Sequence, residues 1–266
     1  MNMPTPPKRP TKNAVSFGKV VKAEAHRVQI YGTGGIGKTT MAANAPGPVV
    51  FVDLDDSLGR LHGKLDNVDE LGVVSVDSWK ELRDALHAPG WDDVKTIVID
   101  SGTRAEELCT EFVCATIPHE KGVRITGIED YGYGKGYTYL LEQYTNLLAD
   151  LDAHCRAGRN VVMVCHECTQ NVPNPEGEDW IRYEPRLHEG KASIRKRTKE
   201  WADSVLFVGY DVAVDKKTGK GRGSGTRTVW PCELPHCMAK SRTMSDPVAL
   251  VEGDETIWNA ILGRNA

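Results

Sequence analysis

The chain has no run of apolar residues approaching the roughly 18–20 that a membrane-spanning helix needs, so no such helix is expected. Its N-terminus lacks the apolar core of a secretory signal and is instead rich in proline and lysine. Paired Cys-x-x-Cys or His-x-x-x-His units are missing, so Cys165-His166-Glu167-Cys168 and Cys232…His236-Cys237 do not read as zinc sites. The seven cysteines are odd in number and irregularly spaced, which argues for reduced thiols in a cytoplasmic setting. No internal repeat is present. What is there is a chain of 266 residues, 40% hydrophobic and 26% charged, long enough for one large core. Its net charge of −4 hides an asymmetry, because residues 182–227 carry +6 and the remainder −10.

One stretch organises the rest. Gly32, Thr33, Gly34, Gly35, Ile36, Gly37, Lys38 and Thr39 fit the phosphate-binding pattern G-x-x-x-x-G-K-[ST], with Thr40 behind them. Glycines let the backbone curl so that successive N–H groups point at phosphate oxygens. The lysine reaches the β- and γ-phosphates, and the Thr39 hydroxyl ligates Mg²⁺. A strand over 26–31 runs into the loop, and a helix from Thr39 to Ala45 leaves it before Pro46. ATP and Mg²⁺ are the cofactors this pattern implies.

Proline at positions 4, 6, 7 and 10 marks residues 1–25 as a flexible lead-in, and 26–266 as one domain. Short apolar runs at 48–52, 94–99, 160–165 and 205–208 suit buried parallel strands. Ser78 and Glu81 form a capping box that opens a helix to about His87. A second helix follows Ser101 to about Ala115, and Leu140, Tyr144, Leu147, Leu148 and Leu151 mark the apolar face of a third. A polar loop is expected over 169–190. Residues 212–214 and 228–230 flank a Gly/Lys-rich tip as a hairpin, and a strand at 248–251 and a helix at 257–262 end the chain. Strands alternating with helices predict an α/β fold, a mostly parallel twisted sheet with helices on both faces and a C-terminal β-hairpin.

Three polar residues stand at strand ends, where open parallel sheets bind ligands. Asp100 is placed to hold water on Mg²⁺ opposite Thr39, or else to cap the following helix. Ser101 follows it where many ATPases carry a catalytic Glu, so Asp55 beyond the neighbouring strand is the candidate base, with a solvated surface acid as the bland alternative. His166 could sense the γ-phosphate or be an ordinary satisfied histidine.

The series Tyr31-Gly32…Gly37-Lys38-Thr39, Phe51 to Asp55, Ile97 to Ser101 and Val162 to His166 resembles the RecA-like P-loop NTPase core. It looks most like the short phage-type ATPases of single-strand annealing and recombination. The resemblance covers about 26–250. It implies Asp55 in the place of a catalytic carboxylate that is usually Glu, and His166 in the place of a polar sensor that is usually Gln. Lys240 and Arg242 resemble the Lys-x-Arg element inserted into a neighbour's ATP site, which implies a head-to-tail ring or filament; a solvated basic turn is the other reading. Lys121, Arg124, Lys135, Tyr131, Tyr133 and Tyr137 in one segment, and Trp180, Arg182, Tyr183, Arg186, Arg195, Lys196 and Arg197 in another, fall where RecA-like loops line DNA. Cations neutralise phosphates and aromatic faces stack unpaired bases, whereas a solvated charged face remains the alternative.

The expected function is therefore ATP hydrolysis coupled to single-stranded DNA, with a homo-oligomer and a single-strand-binding protein as the expected protein partners. A small-molecule kinase is weighed against it, but no Arg-rich lid helix is evident apart from the run at 195–197. A partition-type ATPase would need Lys in place of Thr33. A nucleotide-gated assembly module that hydrolyses little stays open through Asp55.

Overall fold

Residues 25–62, 70–214, 221–251, 253–254 and 256–264 are described by the computed structural model of the chain. The lead-in at 1–24 and the Gly/Lys-rich tip at 215–220 lie outside the described residues. The chain opens with β1 (Arg27–Gly32), whose last residue starts the phosphate loop, and α1 (Lys38–Ala43) leaves that loop. Next come β2 (Val49–Asp53), β3 (Gly72–Val74), α2 (Trp79–His87), β4 (Thr96–Asp100) and α3 (Gly102–Thr116). The long α4 (Lys135–Arg156) leads to β5 (Asn160–Cys165), then β6 (Glu167–Val172), β7 (Trp180–Pro185) and α5 (Ile194–Trp201). The end of the fold is β8 (Ser204–Val214), β9 (Gly221–Trp230), β10 (Val248–Ala249) and α6 (Thr256–Ile261).

The main sheet has the order β10-β9-β8-β1-β5-β4-β2-β3. Every pairing from β8 across to β3 is parallel, and β9 and β10 add antiparallel edges. This is the expected α/β arrangement, a mostly parallel sheet with helices on both faces and a C-terminal hairpin formed by β8 and β9. Strands β4 and β5 are buried at every residue, which is why they are written as unbroken apolar runs rather than as alternation.

Two cores fill the two faces. One gathers α2, α3 and α4 through Trp79, Leu108, Tyr144 and Leu147 against Ile97, Ile99 and Met163. The other sets Met41 of α1 and Trp258 of α6 against Val28, Ile30, Phe51, Val98 and Val162. Ser78 accepts from the Glu81 amide and starts α2, while the Glu81 carboxylate accepts from the Asp77 amide one residue earlier than the expected capping box.

The expected polar loop at 169–190 needs correction. It contains β6 and β7, an antiparallel pair from Glu167↔Pro185 to Val172↔Trp180 that stands apart from the main sheet. Both strands are polar and mostly half-buried, so no apolar run announced them. β8 likewise merges two short expected strands into one, with an irregularity between Tyr210 and Val212.

The C-terminal helix is pinned by its buried Ile257, Trp258 and Ile261 and by the Thr243 hydroxyl on the Ile261 carbonyl. Trp258 is buried and its indole N–H donates to the Met41 carbonyl at 2.9 Å, tying α6 to the helix that leaves the phosphate loop. Trp258→Ala is expected to lower the unfolding free energy by about 3–5 kcal/mol, and Trp258→Phe by about 1 kcal/mol for the lost hydrogen bond. Denaturant unfolding of both variants checks this ordering; equal losses would contradict it.

Candidate functional site

The sheet order decides which strand ends meet. β5 lies between β1 and β4, and β2 lies beyond β4, so the phosphate loop, His166, Asp100 and Asp55 follow one another along one rim. Gly32 shows why the loop begins with glycine. Its φ is +158°, and a Cβ there would sit 2.2 Å from the Val208 carbonyl oxygen of neighbouring β8. Ile36, at an unconstrained position of the motif, is fully buried among Val208, Val229 and Met41 and anchors the loop to the core. Thr33, Thr40 and Gly37 are half-buried, while Gly34 and Gly35 are exposed at the loop's crest.

Lys38 is buried, and its ammonium donates to the carbonyls of Gly32 at 2.8 Å and Thr33 at 2.9 Å. Burial lowers its pKa, with Asp100 the strongest of the acids opposing that shift. The Thr39 hydroxyl donates to Asp100 Oδ2 at 2.8 Å. Asp100 is 4% exposed, and burial pushes its carboxyl up to about 6 against the Thr39 hydrogen bond, with Asp55 and Asp53 adding to the rise. Ser101, across a cis peptide bond, caps α3 by accepting from the Arg104 amide, so Asp100 is left to the rim.

A hydroxyl and a buried carboxylate in contact, with two more carboxylates close by, are the hard oxygen donors that suit Mg²⁺. Thr39 and Asp100 fit that ion. No group of three or more His, Cys, Asp or Glu among the described residues forms another metal cage.

Asp55 lies just past β2, where its amide and that of Leu54 donate to the Asp100 carbonyl. His166 Nε2 stands 3.3 Å from Asp55 Oδ2. That contact is the main cause that holds the Asp55 carboxyl below its usual range, with help from Ser101. The His166 amide donates to Thr103 Oγ1 and its carbonyl accepts from the Arg186 amide, so the candidate base, the candidate sensor and the β6–β7 pair are linked. Asp53 is structural, accepting from the amides of Ser57 and Leu58.

The basic residues divide. Arg195 is 3% exposed; its guanidinium bonds the Glu184 carboxylate, the carbonyls of Pro185 and Leu187, and Cys168 Sγ. It is corrected from a nucleic-acid contact to an internal brace between α5 and the β6–β7 pair. Arg182 is similarly held by Glu184 and Glu233. Arg186, Lys196 and Arg197 are exposed, each beside a carboxylate: Glu107, Glu189 and Glu200. Lys135 pairs with Glu120 at 2.7 Å. Tyr183 is 39% exposed and stacks on Phe207, and Trp180 is half-buried. Tyr131 is buried with its hydroxyl on the Val113 and Ile117 carbonyls, whereas Tyr133 is fully exposed. Tyr137 stacks on His188 with ring centroids 4.0 Å apart, which joins the start of α4 to the segment after β7.

Lys240 and Arg242 lie at the opposite end of the sheet, where Lys240 bridges to Val205 near the start of β8. The Lys240 ammonium donates to the Lys199 and Glu200 carbonyls at the end of α5, an intrachain role that corrects its assignment as a residue free to act elsewhere. Arg242 keeps a largely exposed side chain, 3.4 Å from Asp203.

Two residues at the rim had no signal in the sequence. Glu106, on α3, accepts from the His188 amide at 2.8 Å, and burial pushes its carboxyl up to about 7. Arg227 of β9 donates to the Ile36 carbonyl of the phosphate loop at 3.0 Å. It is separated from that residue by 191 positions, so no local motif could have paired them.

A family model described as AAA domain matches residues 24–243. No curated protein matches the chain. A solved KaiC-like protein from the hyperthermophilic archaeon Pyrococcus horikoshii is similar at 18% identity, over 77% of this chain and 76% of that one, with a TM-score of 0.39.

The raised Asp100 pKa has a consequence for stability. A carboxyl whose pKa is higher folded than unfolded contributes stability below about pH 4 that is lost as pH rises through about 6. The metal-free Asp100→Asn variant should therefore gain on the wild type with rising pH, by up to about 3 kcal/mol at pH 8 relative to pH 4. Unfolding curves at both pH values test this. A difference that stays flat, or runs the other way, would contradict the buried, ionising carboxyl.

Proposed function

We propose, from the premise that this chain belongs to the family of AAA domains, that it hydrolyses ATP in a Mg²⁺-dependent manner and does so on single-stranded DNA. The observation that carries the ATPase half is the Thr39–Asp100 contact beside Lys38, with Asp55 and His166 on the same rim. The loop amides and Lys38 hold the phosphates. Thr39 and Asp100 hold Mg²⁺, which when bound neutralises charge developing on the phosphates. Asp55 orients the attacking water and takes its proton. His166, bonded to Asp55, registers whether the γ-phosphate is present and passes that state to β6 through the next residue.

The DNA half has different support. Ile181 and Tyr183 on the β6–β7 pair and Tyr133 near the start of α4 are exposed large apolar or aromatic side chains. The two segments that carry them are joined by the Tyr137–His188 stack. Arg186, just after β7, and Lys196 and Arg197 on α5 are exposed cations. Aromatic faces among cations suit unpaired bases on a charged backbone. Arg242, exposed at the end of the sheet away from the phosphate loop, is positioned as a residue serving a neighbouring copy in a head-to-tail assembly would have to be.

The Asp55–His166 contact also favours a second reading. A base engaged by its own sensor turns over slowly until that contact is released, and the protein then acts as a nucleotide-gated module. Steady-state turnover with and without single-stranded DNA, at two salt concentrations, separates the readings. The expected result is DNA stimulation that weakens as salt rises, with Lys38→Ala inactive throughout. Turnover indifferent to DNA would overturn the DNA half alone, and Lys38→Ala retaining full turnover would overturn the ATPase half.

A further inference from the structure

The residue just before the phosphate loop is a tyrosine whose hydroxyl the proposed ATPase chemistry does not use. Tyr31 is fully buried, level with Cys165 of β5 on one side and with Phe207 of β8 on the other. Its ring centroid lies 5.2 Å from that of Phe207, on which the Tyr183 ring of β7 also stacks, at 5.1 Å. The hydroxyl reaches two main-chain carbonyls, those of Met238 at 2.6 Å and Tyr183 at 2.9 Å. Burial holds its pKa well above the ordinary tyrosine range, so the proton stays on the oxygen.

Those two carbonyls belong to a junction between β7 and the strap of residues 231–242 that follows β9. The Tyr183 amide donates to the His236 carbonyl at 2.9 Å, and the Met238 amide donates back to the Tyr183 carbonyl at 3.0 Å. Further along the strap, Lys240 exchanges two main-chain hydrogen bonds with Val205 of β8, and Arg242 lies beside Asp203. A phenol has one proton to give. Two acceptors therefore share a single donor, and small displacements of Tyr31 decide between them.

Occupation of the phosphate loop supplies such a displacement. Lys38 spends its ammonium on the carbonyls of Gly32 and Thr33, at 2.8 and 2.9 Å. A triphosphate on the loop claims that ammonium and strips the donor from the Gly32 carbonyl, in the residue next to Tyr31. Gly32 is already packed so closely on the Val208 carbonyl that a Cβ would sit 2.2 Å from its oxygen. Relaxation therefore runs back along β1 to Tyr31 rather than sideways into β8. A ligand shifts an equilibrium only through contacts that differ between its two states, and the released lysine donors are that difference.

We propose that Tyr31 is a positioning residue that reports occupation of the phosphate loop to the β7–strap junction, through the competition of the Met238 and Tyr183 carbonyls for its one hydroxyl proton. The proposal rests on the reading that the loop binds ATP. β7 carries the exposed Ile181 and Tyr183, and the strap leads to the exposed Arg242, so one hydroxyl links the loop to both surfaces. This route is separate from the one through His166, whose carbonyl accepts from the Arg186 amide just past β7.

Hydrogen exchange of the Tyr183 and Met238 amides in the full chain tests this, with Mg²⁺ alone and with Mg²⁺ plus the β,γ-imido analogue of ATP, whose binding is measured alongside. In the wild type the analogue should speed exchange of both amides about fivefold, the worth of one hydrogen bond. Tyr31→Phe keeps the ring on Phe207 but has no proton to share. It should bind the analogue within about twofold of the wild type and exchange at one rate with and without it. Lys38→Ala bares the same loop carbonyls and should exchange fast with Mg²⁺ alone. A difference that persists in Tyr31→Phe would show that the hydroxyl is only a structural bond and would overturn the proposal. So would wild-type exchange that the bound analogue leaves unchanged, or Lys38→Ala exchanging like the wild type. A wild-type chain that does not bind the analogue would overturn the ATP reading itself, and the proposal with it.

Discussion

The hydrogen bond from Thr39 to Asp100 joins two parts of the sheet that do not touch directly. Thr39 belongs to the helix leaving β1, Asp100 ends β4, and β5 runs between them. The contact therefore exists only if three parallel strands are in register and end at one level. Around it the polar groups are placed by backbone rather than by chance. Asp55 is held by its amide on the Asp100 carbonyl, and His166 by its amide on Thr103. A buried carboxylate carries a desolvation cost that a nearby cation relieves. The cluster is thus poorly balanced alone and well matched to a cation between Thr39 and Asp100.

Much of this was legible in the sequence because buried parallel strands are written as short apolar runs. Each of the runs at 48–52, 94–99 and 160–165 became a strand, and the polar residue beyond each became a rim residue. The β6–β7 pair was not legible. It is half-exposed, polar and interrupted by a proline-containing connection, so its sequence resembles a loop. The run Arg195-Lys196-Arg197 misled for a different reason. A charge run is ordinarily solvated, yet helical geometry turns adjacent residues about 100° apart, and Arg195 alone faced inward onto Glu184. Arg227 was invisible because its partner is remote in sequence and its own neighbours are the glycines and threonines of a hairpin.

Charge is separated along the strands. Asp53, Asp55 and Asp100 collect with Lys38 at the rim where the strands end. At the other end Arg27 bridges Asp152 and Asp203, and Arg242 approaches Asp203 as well. The proposed Mg²⁺ site lies at this acidic rim. At the opposite end the exposed Arg242 guanidinium sits beside Asp203, and in the proposed head-to-tail assembly it would face a neighbour's rim. The β6–β7 pair stands outside the sheet but is fixed to it through Arg195, Glu106 and the Arg186 amide on His166. A change at His166 thus has a direct route to the exposed hairpin.

In the hydrolytic centre proposed at these strand ends, Asp55 acts on the attacking water. Phosphate release by Asp55→Asn, at saturating Mg²⁺ and ATP and with ATP affinity measured alongside, is the decisive measurement. The expected result is a fall in kcat of about 10²–10⁴ with ATP affinity little altered, since Asp55 bonds His166 and Ser101 but is not among the residues assigned to the phosphates. Undiminished kcat would place the base elsewhere and contradict the assignment.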